Sequence, residues 1–400
     1  MMLSDMLGEK SVWESFYSYK TSLVSHGARI NDLRKFIDEE RYMPVYERIK
    51  SGETFPLPKK SVLNKISSQK RRTIYMYPFD ENMVLKLLTY LVLRKYDDTF
   101  APCLYSFRPK RNAKDAIKYL LSRRGIDNMY AYKADVSNYF NSIPVERLLP
   151  MVKAAFADDT ELCDFLCGLL SEPYVTDGGE RVREQKGIMA GTPIASFYAN
   201  LYLNELDRSF FDEKVLYMRY SDDIIVFAED EDTVREYAKR IRDHINAMGL
   251  HINPDKESFF TPDEGFTFLG FRYRKGVCDI ADATVDKLKG KMRRKARALQ
   301  RWYRRNGADG ESGAKAFIRI FNKKLLESPE DNELSWSYWF FSVINTDESL
   351  HTIDRYAQDC IRFLWSGKRT KSRFNVRYED MKKIGYRSLV NAYYSSEKED

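Results

Sequence analysis

The chain has 400 residues, 43% of them hydrophobic, which is enough to bury a sizeable core in two or three packed subdomains. No run of about eighteen apolar residues occurs, and the N-terminus lacks a basic stretch before an apolar one. We therefore expect no membrane span, no secretory signal and a cytoplasmic location. The net charge of +7 fits a polyanionic partner but is too small to identify one.

Three parts follow one another along the chain. Residues 1–60 predict an N-terminal helical extension, which Gly52, Pro56 and Pro58 bring to an end. Strand-like and helical segments alternate over residues 61–275, and the chain is mostly helical and basic over residues 276–400. The predicted fold class is therefore α/β (α+β), with a mixed centre between two helical parts.

The central part carries the strongest strand signals. Residues 128–136 alternate and end near Asp135, residues 215–230 form two β-rich arms around a polar tip, and residues 266–273 form another strand candidate. Amphipathic helices are predicted over residues 196–211 and 233–249. This order predicts a small antiparallel sheet with helices on one of its faces.

A group of carboxylates is the clearest chemical feature. Asp222 and Asp223 lie side by side at the tip of the predicted hairpin, where their charges repel each other, and Asp135 ends another strand. Hard divalent cations such as Mg²⁺ bind carboxylate oxygens and relieve such repulsion. The alternative is a surface hairpin tip with Asp135 as a cap. The scattered histidines, and five cysteines without a CxxC pair, predict neither a zinc site nor a disulfide framework.

Several segments, in this order, resemble the motifs of bacterial reverse transcriptases of the group II intron and retron kind. They are KRRTIYMYPFDENMVLKLL (70–88), LYSFRPKRNAKDAI (104–117), DVSNYFNSIP (135–144), GIMAGTPIASFYANLYLNELD (187–207), YSDDIIVFA (220–228), GLHINPDKESFF (249–260) and FTFLGFRY (266–273). The resemblance implies a right-hand polymerase with fingers and palm over residues 61–275 and a helical thumb and C-terminal RNA-binding region over residues 276–400. It also implies an RNA-directed DNA polymerase that uses dNTPs, copies RNA and makes a DNA product.

The resemblance assigns the catalytic metals to four residues. Asp135, Asp222 and Asp223 would hold two Mg²⁺ ions, or Mn²⁺ in their place, and the backbone carbonyl of Val136 would be a further ligand. In this assignment the ions act on the primer 3′-hydroxyl and on the leaving pyrophosphate.

The resemblance also places five residues at the incoming nucleotide. Arg72 is the first candidate for binding the triphosphate and Lys70 is the second. Gly191 would let the backbone approach the nucleotide or template. Phe140 would exclude a ribose 2′-hydroxyl, unless it is a core aromatic. Lys256 would protonate pyrophosphate, unless it is an ordinary surface lysine.

Contacts with primer and template are implied on both sides of the palm. The alternatives are a structural ion pair for Arg108, a plain hairpin for Leu269 and Gly270, and an ordinary charged helix for Arg293, Arg294 and Arg297. The residues are Arg108, Tyr220, Leu269, Gly270, Arg293, Arg294 and Arg297.

Two features of the sequence bear on the biological role. Ala190 stands where the family usually has glutamine, and no H-N-H endonuclease pattern follows the thumb. Both features are similar to those of defence-associated reverse transcriptases, which implies a structured noncoding RNA as template and a role in antiviral defence. A retron enzyme, a group II intron fragment, an RNA-dependent RNA polymerase and a non-catalytic RNA-binding protein are the alternatives. Priming, product length and oligomeric state stay open.

Overall fold

The computed structural model describes residues 2–23, 28–53, 55–64, 71–184, 187–327, 336–368 and 370–396. The chain divides into two compact units, Met1–Pro262 and Asp263–Asp400. The predicted N-terminal extension lies in the same unit as most of the mixed centre, whereas the predicted boundary after residue 275 lies inside the second unit. Among the described residues, no helix has the length and apolar character that a membrane crossing requires.

The first unit combines helices with two sheets. Its described helices are α1 (Leu3–Met6), α2 (Lys10–Leu23), α3 (Ala28–Asp38), α4 (Met43–Ser51), α5 (Phe79–Lys95), α6 (Ala113–Leu121), α7 (Tyr139–Ser142), α8 (Val145–Ala155), α9 (Thr160–Ser171), α10 (Ala195–Tyr202), α11 (Asn204–Asp212) and α12 (Glu231–Ala247). Its described strands are β1 (Lys59–Asn64), β2 (Arg71–Met76), β3 (Tyr130–Asp135), β4 (Tyr174–Asp177), β5 (Glu180–Arg183), β6 (Tyr217–Tyr220), β7 (Asp223–Ala228) and β8 (Ser258–Phe260).

The N-terminal helices enclose an aromatic core, as expected for a helical extension. The ring of Trp13 is fully buried, stacks on Tyr42 at a centroid distance of 5.1 Å and meets the edge of Phe36 at 5.3 Å. Phe16 on α2 meets Tyr90 on α5 at 5.2 Å. These helices are therefore packed onto the rest of the unit through large buried rings, which contribute much of the apolar area that stabilises a fold.

Two four-stranded sheets occupy the centre of the first unit. The first has the order β2-β1-β4-β5, in which only β1 and β4 run parallel, and the second has the antiparallel order β6-β7-β3-β8. The predicted strand near residues 128–136 and the predicted hairpin over 215–230 are thus confirmed as β3 and as β6 with β7. In both β3 and β7 most side chains are buried.

Helix α12 shows why the sequence folds this way locally. Val234, Ala238, Ile241 and Ile245 recur at helical spacing and form its buried stripe, and the side chain of Asp230 caps its first turn. The predicted helix over 196–211 is two helices, α10 and α11, because the backbone leaves the helical conformation at Leu203.

The second unit is a short meander followed by helices. Its described strands are β9 (Phe266–Phe268), β10 (Phe271–Arg274) and β11 (Val277–Ile280), which pair in the order β11-β10-β9. Its described helices are α13 (Asp282–Arg305), α14 (Gly310–Leu325), α15 (Trp336–Phe341), α16 (Glu348–Ser366), α17 (Tyr378–Lys383) and α18 (Leu389–Ser396). The strand predicted over residues 266–273 is two strands, because Leu269 and Gly270 take positive φ values and reverse the chain.

Candidate active site

The three predicted metal-binding carboxylates come together at one end of the second sheet. In the antiparallel pair of β3 with β7, Asp135 is directly opposite Asp223. The amide of Val136 donates to the carbonyl of Asp222 at 3.0 Å, which places Val136 beside the hairpin tip. Residues opposite each other in such a pair have neighbouring side chains on one face. The register therefore places three acids and Val136 at one point.

The hairpin tip has a constrained backbone. Tyr220 pairs with Asp223, so that Ser221 and Asp222 form the two-residue turn, and Ser221 has a φ of +60°. The amide of Ser221 donates to the hydroxyl oxygen of Ser106 at 2.9 Å. This bond fixes the turn that presents Asp222, and it comes from a segment more than a hundred residues earlier.

A buried polar network supports the tip from inside the protein. Arg219 and Asp207 are both fully buried and form an ion pair with a closest distance of 2.6 Å. Arg219 also donates to the backbone carbonyls of Ser221 at 3.2 Å and Asn200 at 3.0 Å, and the side-chain Nδ2 of Asn200 donates to the carbonyl of Ser106. Sequence reasoning missed this network, and its signal was an arginine inside an otherwise apolar and aromatic strand.

Burial and mutual repulsion shape the electrostatics of the site. Burial, with the charges of Asp222 and Asp135, raises the pKa of Asp223 to about 6, although Lys133 at 3.9 Å opposes the shift. Burial and the charge of Asp135 also raise the pKa of Asp222. Lys256 donates to the Oδ2 atom of Asp135 at 2.5 Å. The charges of two lysines thus neutralise part of the negative charge of three acids, and a bound cation would neutralise more of it.

The donor set fits Mg²⁺ that keeps part of its own coordination shell. In the described residues, no group of three His, Cys, Asp or Glu side chains is close enough to hold an ion by itself. Mg²⁺ is usually bound by one or two carboxylates together with waters and substrate phosphates. Two ions shared among Asp135, Asp222 and Asp223 would meet that requirement, once Lys256 releases Asp135.

The predicted sugar-selecting residue lies on the turn after the first acid. Phe140 belongs to α7, is half-buried, and meets the ring of Phe107 edge to face at a centroid distance of 6.1 Å. Its carbonyl accepts a hydrogen bond from Ile188 at 2.9 Å. Phe140 is therefore held through both its ring and its backbone, and it packs against the hydrophobic core while staying partly exposed.

Strand β2 lies against the segment that contains Gly191. Tyr75 donates through its amide to the carbonyl of Ala190 at 2.8 Å, and Gly191 has a φ of +103°. A Cβ atom at Gly191 would lie 3.0 Å from the carbonyl oxygen of Tyr75 and 3.2 Å from Ile74 Cβ. The close approach at Gly191 is thus to this strand.

The two predicted triphosphate-binding residues belong to the same part of the chain. Arg72 is exposed on β2 and shares a strand face with Ile74, and Lys70 lies outside the described residues.

Two further residues join the parts of the site, and sequence reasoning missed both. Asn141 donates to the carbonyl of Thr73 at 3.2 Å and accepts from the amide of Ala190 at 3.2 Å, so it links α7 to β2. Gly187 has a φ of +52°, and a Cβ atom there would lie 2.5 Å from the carbonyl oxygen of Phe140. Only glycine fits this position without a backbone shift.

Arg108 is held by contacts inside the protein. Its guanidinium is buried, binds the carboxylate of Asp97 at 2.7 Å and donates to the carbonyls of Ala101, Leu104 and Asp97. Its donors are used inside the protein, which favours the structural ion pair over a contact to primer or template. Tyr220 is half-buried at the end of β6, beside the acids.

The remaining predicted residues lie in the second unit. Leu269 and Gly270 form the turn between β9 and β10, with φ values of +49° and +89°. Arg293, Arg294 and Arg297 are exposed on α13. The charges of Arg293 and Arg297 act on Tyr356 of α16, so these two residues lie on the flank of α13 that is near α16.

Comparison with known proteins gives a family match and two kinds of relative. Residues 57–273, more than half of the chain, match the family model described as reverse transcriptase (RNA-dependent DNA polymerase). The "Group II intron-encoded protein LtrA" of Lactococcus lactis subsp. cremoris, and that of its strain MG1363, are each 20% identical over 233 residues. That alignment covers 58% of this chain, and the chain spans 38% of the length of these relatives.

Solved structures of telomerases are also similar to the chain. Apo telomerase from Candida tropicalis is 13% identical with a TM-score of 0.47, and the alignment covers 82% of this chain and 59% of that one. Telomerase from Candida albicans in complex with a TWJ fragment of telomeric RNA is 12% identical with a TM-score of 0.45, over 88% and 71% of the two chains.

Proposed function

The chain belongs to the reverse transcriptase (RNA-dependent DNA polymerase) family, and on that premise we propose that it copies an RNA template into DNA at Asp135, Asp222 and Asp223. The observation that carries the proposal is the register of β3 with β7, which sets Asp135 opposite Asp223 at the end of a sheet. Buried neighbouring acids are costly to a fold, and nucleotidyl transfer needs that cluster.

Two metal ions are part of the proposal. Asp135, Asp222 and Asp223 would hold these ions, and the chemistry that the ions would supply is activation of the primer 3′-hydroxyl and neutralisation of charge on the departing pyrophosphate. The protein holds the acids in place through the Ser106 bond to the turn and through the buried Arg219 beneath it. Such preorganised groups stabilise developing charge without rearranging during the reaction.

Lys256 would hold a proton at Nζ for the departing pyrophosphate. Burial works against its charge, but the hydrogen bond and the charge of Asp135 raise the pKa of Lys256, so the amine stays protonated. Phe140 would exclude nucleotides with a 2′-hydroxyl by steric conflict, and Arg72 would bind the triphosphate.

Helix α13 supports binding of a nucleic acid. Residues 287–305 contain no Asp or Glu. The exposed face of the helix repeats cations at helical spacing around Trp302, which is 51% exposed. Cations against phosphates and an exposed ring against bases are what a nucleic-acid surface requires. The cations of this face are Lys287, Lys291, Arg294, Arg301 and Arg305.

The finer role is a reverse transcriptase of antiviral defence whose template is a structured noncoding RNA. Ala190 supports it, because this position, where the family usually has glutamine, carries a buried methyl group that can offer no side-chain hydrogen bond to a nucleotide. An intron RNA encoded around the gene would instead support a group II intron origin, and a neighbouring template RNA that is linked to its DNA product would support a retron.

The test is a primer-extension assay with purified protein, Mg²⁺, labelled dNTPs and either a primed RNA or the RNA that co-purifies. The Asp222→Ala, Asp223→Ala double variant should lose at least about a thousandfold in rate, since the metals lose two ligands. Sequencing the DNA made on co-purified RNA would identify the natural template.

A matched control removes two acids elsewhere in the same unit. Glu236 and Asp243 are exposed on α12, so the Glu236→Ala, Asp243→Ala variant should keep wild-type activity. Equal activity of wild type and the active-site variant would contradict the proposal. Incorporation of ribonucleotides alone would favour an RNA polymerase, and binding of RNA without any incorporation would favour a non-catalytic RNA-binding protein.

A further inference from the structure

Phe107 has a backbone conformation that its side chain disfavours. Its φ is +55°, and its ring is 38% exposed. A bulky residue at positive φ is an outlier, and loops that need this conformation normally use glycine or asparagine. Because more than a third of the residue stays exposed, burial alone does not account for a phenylalanine at this strained position.

The residues on both sides of Phe107 are fixed, so the strain cannot relax. The hydroxyl of the fully buried Ser106 accepts from the amide of Ser221 at 2.9 Å and donates to Asn200 at 3.0 Å. Arg108 is bound to Asp97 and to three carbonyls. One of these anchors is the turn that presents Asp222, so the position of Phe107 is set by the metal-binding hairpin itself.

The ring of Phe107 is directed at the sugar-selecting residue. Its centroid lies 6.1 Å from that of Phe140, with an angle of 84° between the ring planes. Tyr139 meets Phe140 at 5.9 Å and 87°. Edge-to-face contacts of this kind restrict the rotation of a ring. Phe140 is thus held between one aromatic of its own helix and one strained aromatic attached to the acidic hairpin.

We propose that Phe107 is a positioning residue that holds the ring of Phe140 in the orientation that excludes a ribose 2′-hydroxyl. This inference rests on the proposed function, because it assumes that nucleotides bind beside Phe140. It assigns the loop of residues 106–108 a part in sugar selection, and it makes the strain at Phe107 useful: the conformation that costs stability aims the ring.

The test compares Phe107→Gly with wild type in single-nucleotide extension by dCTP and by CTP. Loss of the edge-to-face contact should reduce the ratio of kcat/KM for dCTP to that for CTP by about fivefold. The melting temperature should not fall, because glycine accepts the positive φ. Phe107→Tyr keeps the ring and should keep the ratio.

Lys110→Gly is the matched control. Lys110 lies in the same loop with a φ of +57° and an exposed side chain, so glycine relieves the same kind of strain there without touching Phe140. This variant should show the wild-type ratio of dCTP to CTP use. A crystal structure of Phe107→Gly gives a readout without activity, and in it the Phe140 ring should adopt another rotamer or several.

Three results would overturn the inference. The first is an unchanged ratio in Phe107→Gly, and the second is an unchanged Phe140 ring in its crystal structure. The third is an equal loss for dCTP and CTP, which would mean that Phe107 contacts the template or the base. If wild type incorporates neither nucleotide, the proposed function fails as well, whereas an active wild type with an unchanged ratio refutes the inference alone.

Discussion

Asp223 shows how a reactive site opposes the stability of its own fold. Its pKa of about 6 lies above the ordinary value of 3.8 because the carboxyl is buried near two other acids. Between these two pH values the folded state binds more protons than the unfolded state. The free energy of unfolding therefore falls as pH rises through that window, and at neutral pH the ionised group destabilises the metal-free protein.

Replacing this charge should stabilise the protein when no metal is present. In EDTA at about pH 7.5, Asp223→Asn should raise the free energy of unfolding by roughly 1–2 kcal/mol, since asparagine removes the repulsion from Asp222 and Asp135 but also loses the attraction to Lys133. The gain should shrink as the pH approaches the ordinary pKa of the group. Urea unfolding at about pH 7.5 and at a pH near the ordinary pKa of Asp223 measures this gain, with Asp243→Asn at an exposed position as control. A variant that is less stable than wild type at neutral pH would contradict the expectation.

The site residues that the sequence could predict are those whose chemistry is visible locally. Asp135, Asp222 and Asp223 stand at or beside strand ends, where neighbouring like charges repel each other and therefore indicate a function. Ser106 and Asn200 were not predictable, because serine and asparagine are common and their bonds join positions 94 to 115 apart in the chain. Arg108 carried two readings, and only its buried contacts with Asp97 favour one of them.

At the scale of elements, strands with a regular alternation of apolar and polar residues were easier to predict than the pairing between strands. The hairpin of β6 and β7 and the strand β3 follow from period-two patterns. The sheet of β1, β2, β4 and β5 was not predicted, since β4 and β5 have four residues each and β4 pairs with β1, a strand more than a hundred residues earlier. The turn at Leu269 was likewise not predicted, because it lies inside an apolar run and leucine rarely takes positive φ.

The ion pair beneath the hairpin should dominate the stability of β6. Arg219→Met leaves Asp207 charged and fully buried, and uncompensated buried charges cost about 3–5 kcal/mol. Urea unfolding should show that loss, together with lower polymerase activity because the turn at Ser221 loses a donor.

A double variant separates the pair from its surroundings. Arg219→Met combined with Asp207→Asn should be more stable than Arg219→Met alone, because no charge stays buried without a partner. A double variant that is less stable than the single one would mean that Asp207 acts mainly through other bonds, of which the one from Tyr217 at 2.9 Å is the first candidate.

At the scale of the whole molecule, the distribution of charge matters more than its sum. A net charge of +7 over 400 residues is modest, yet residues 287–305 carry only positive charges. Each contact between a cation and a phosphate releases a counterion, so the affinity for RNA should depend steeply on salt. The exposed cations of α13, and not the total charge, should set that dependence.

Removing three of these cations tests this idea. In the variant Lys291→Ala, Arg294→Ala, Arg301→Ala, the slope of log affinity against log salt should become shallower by about 2, since each lost phosphate contact removes roughly 0.7–0.9. Fluorescence anisotropy with a labelled RNA hairpin over a KCl series measures the slope. The control removes Lys10, Arg235 and Lys239, which pair with Glu40, Glu231 and Asp243, and should leave it unchanged. If both variants shift the slope equally, net charge alone draws RNA to the protein and α13 is an ordinary charged helix.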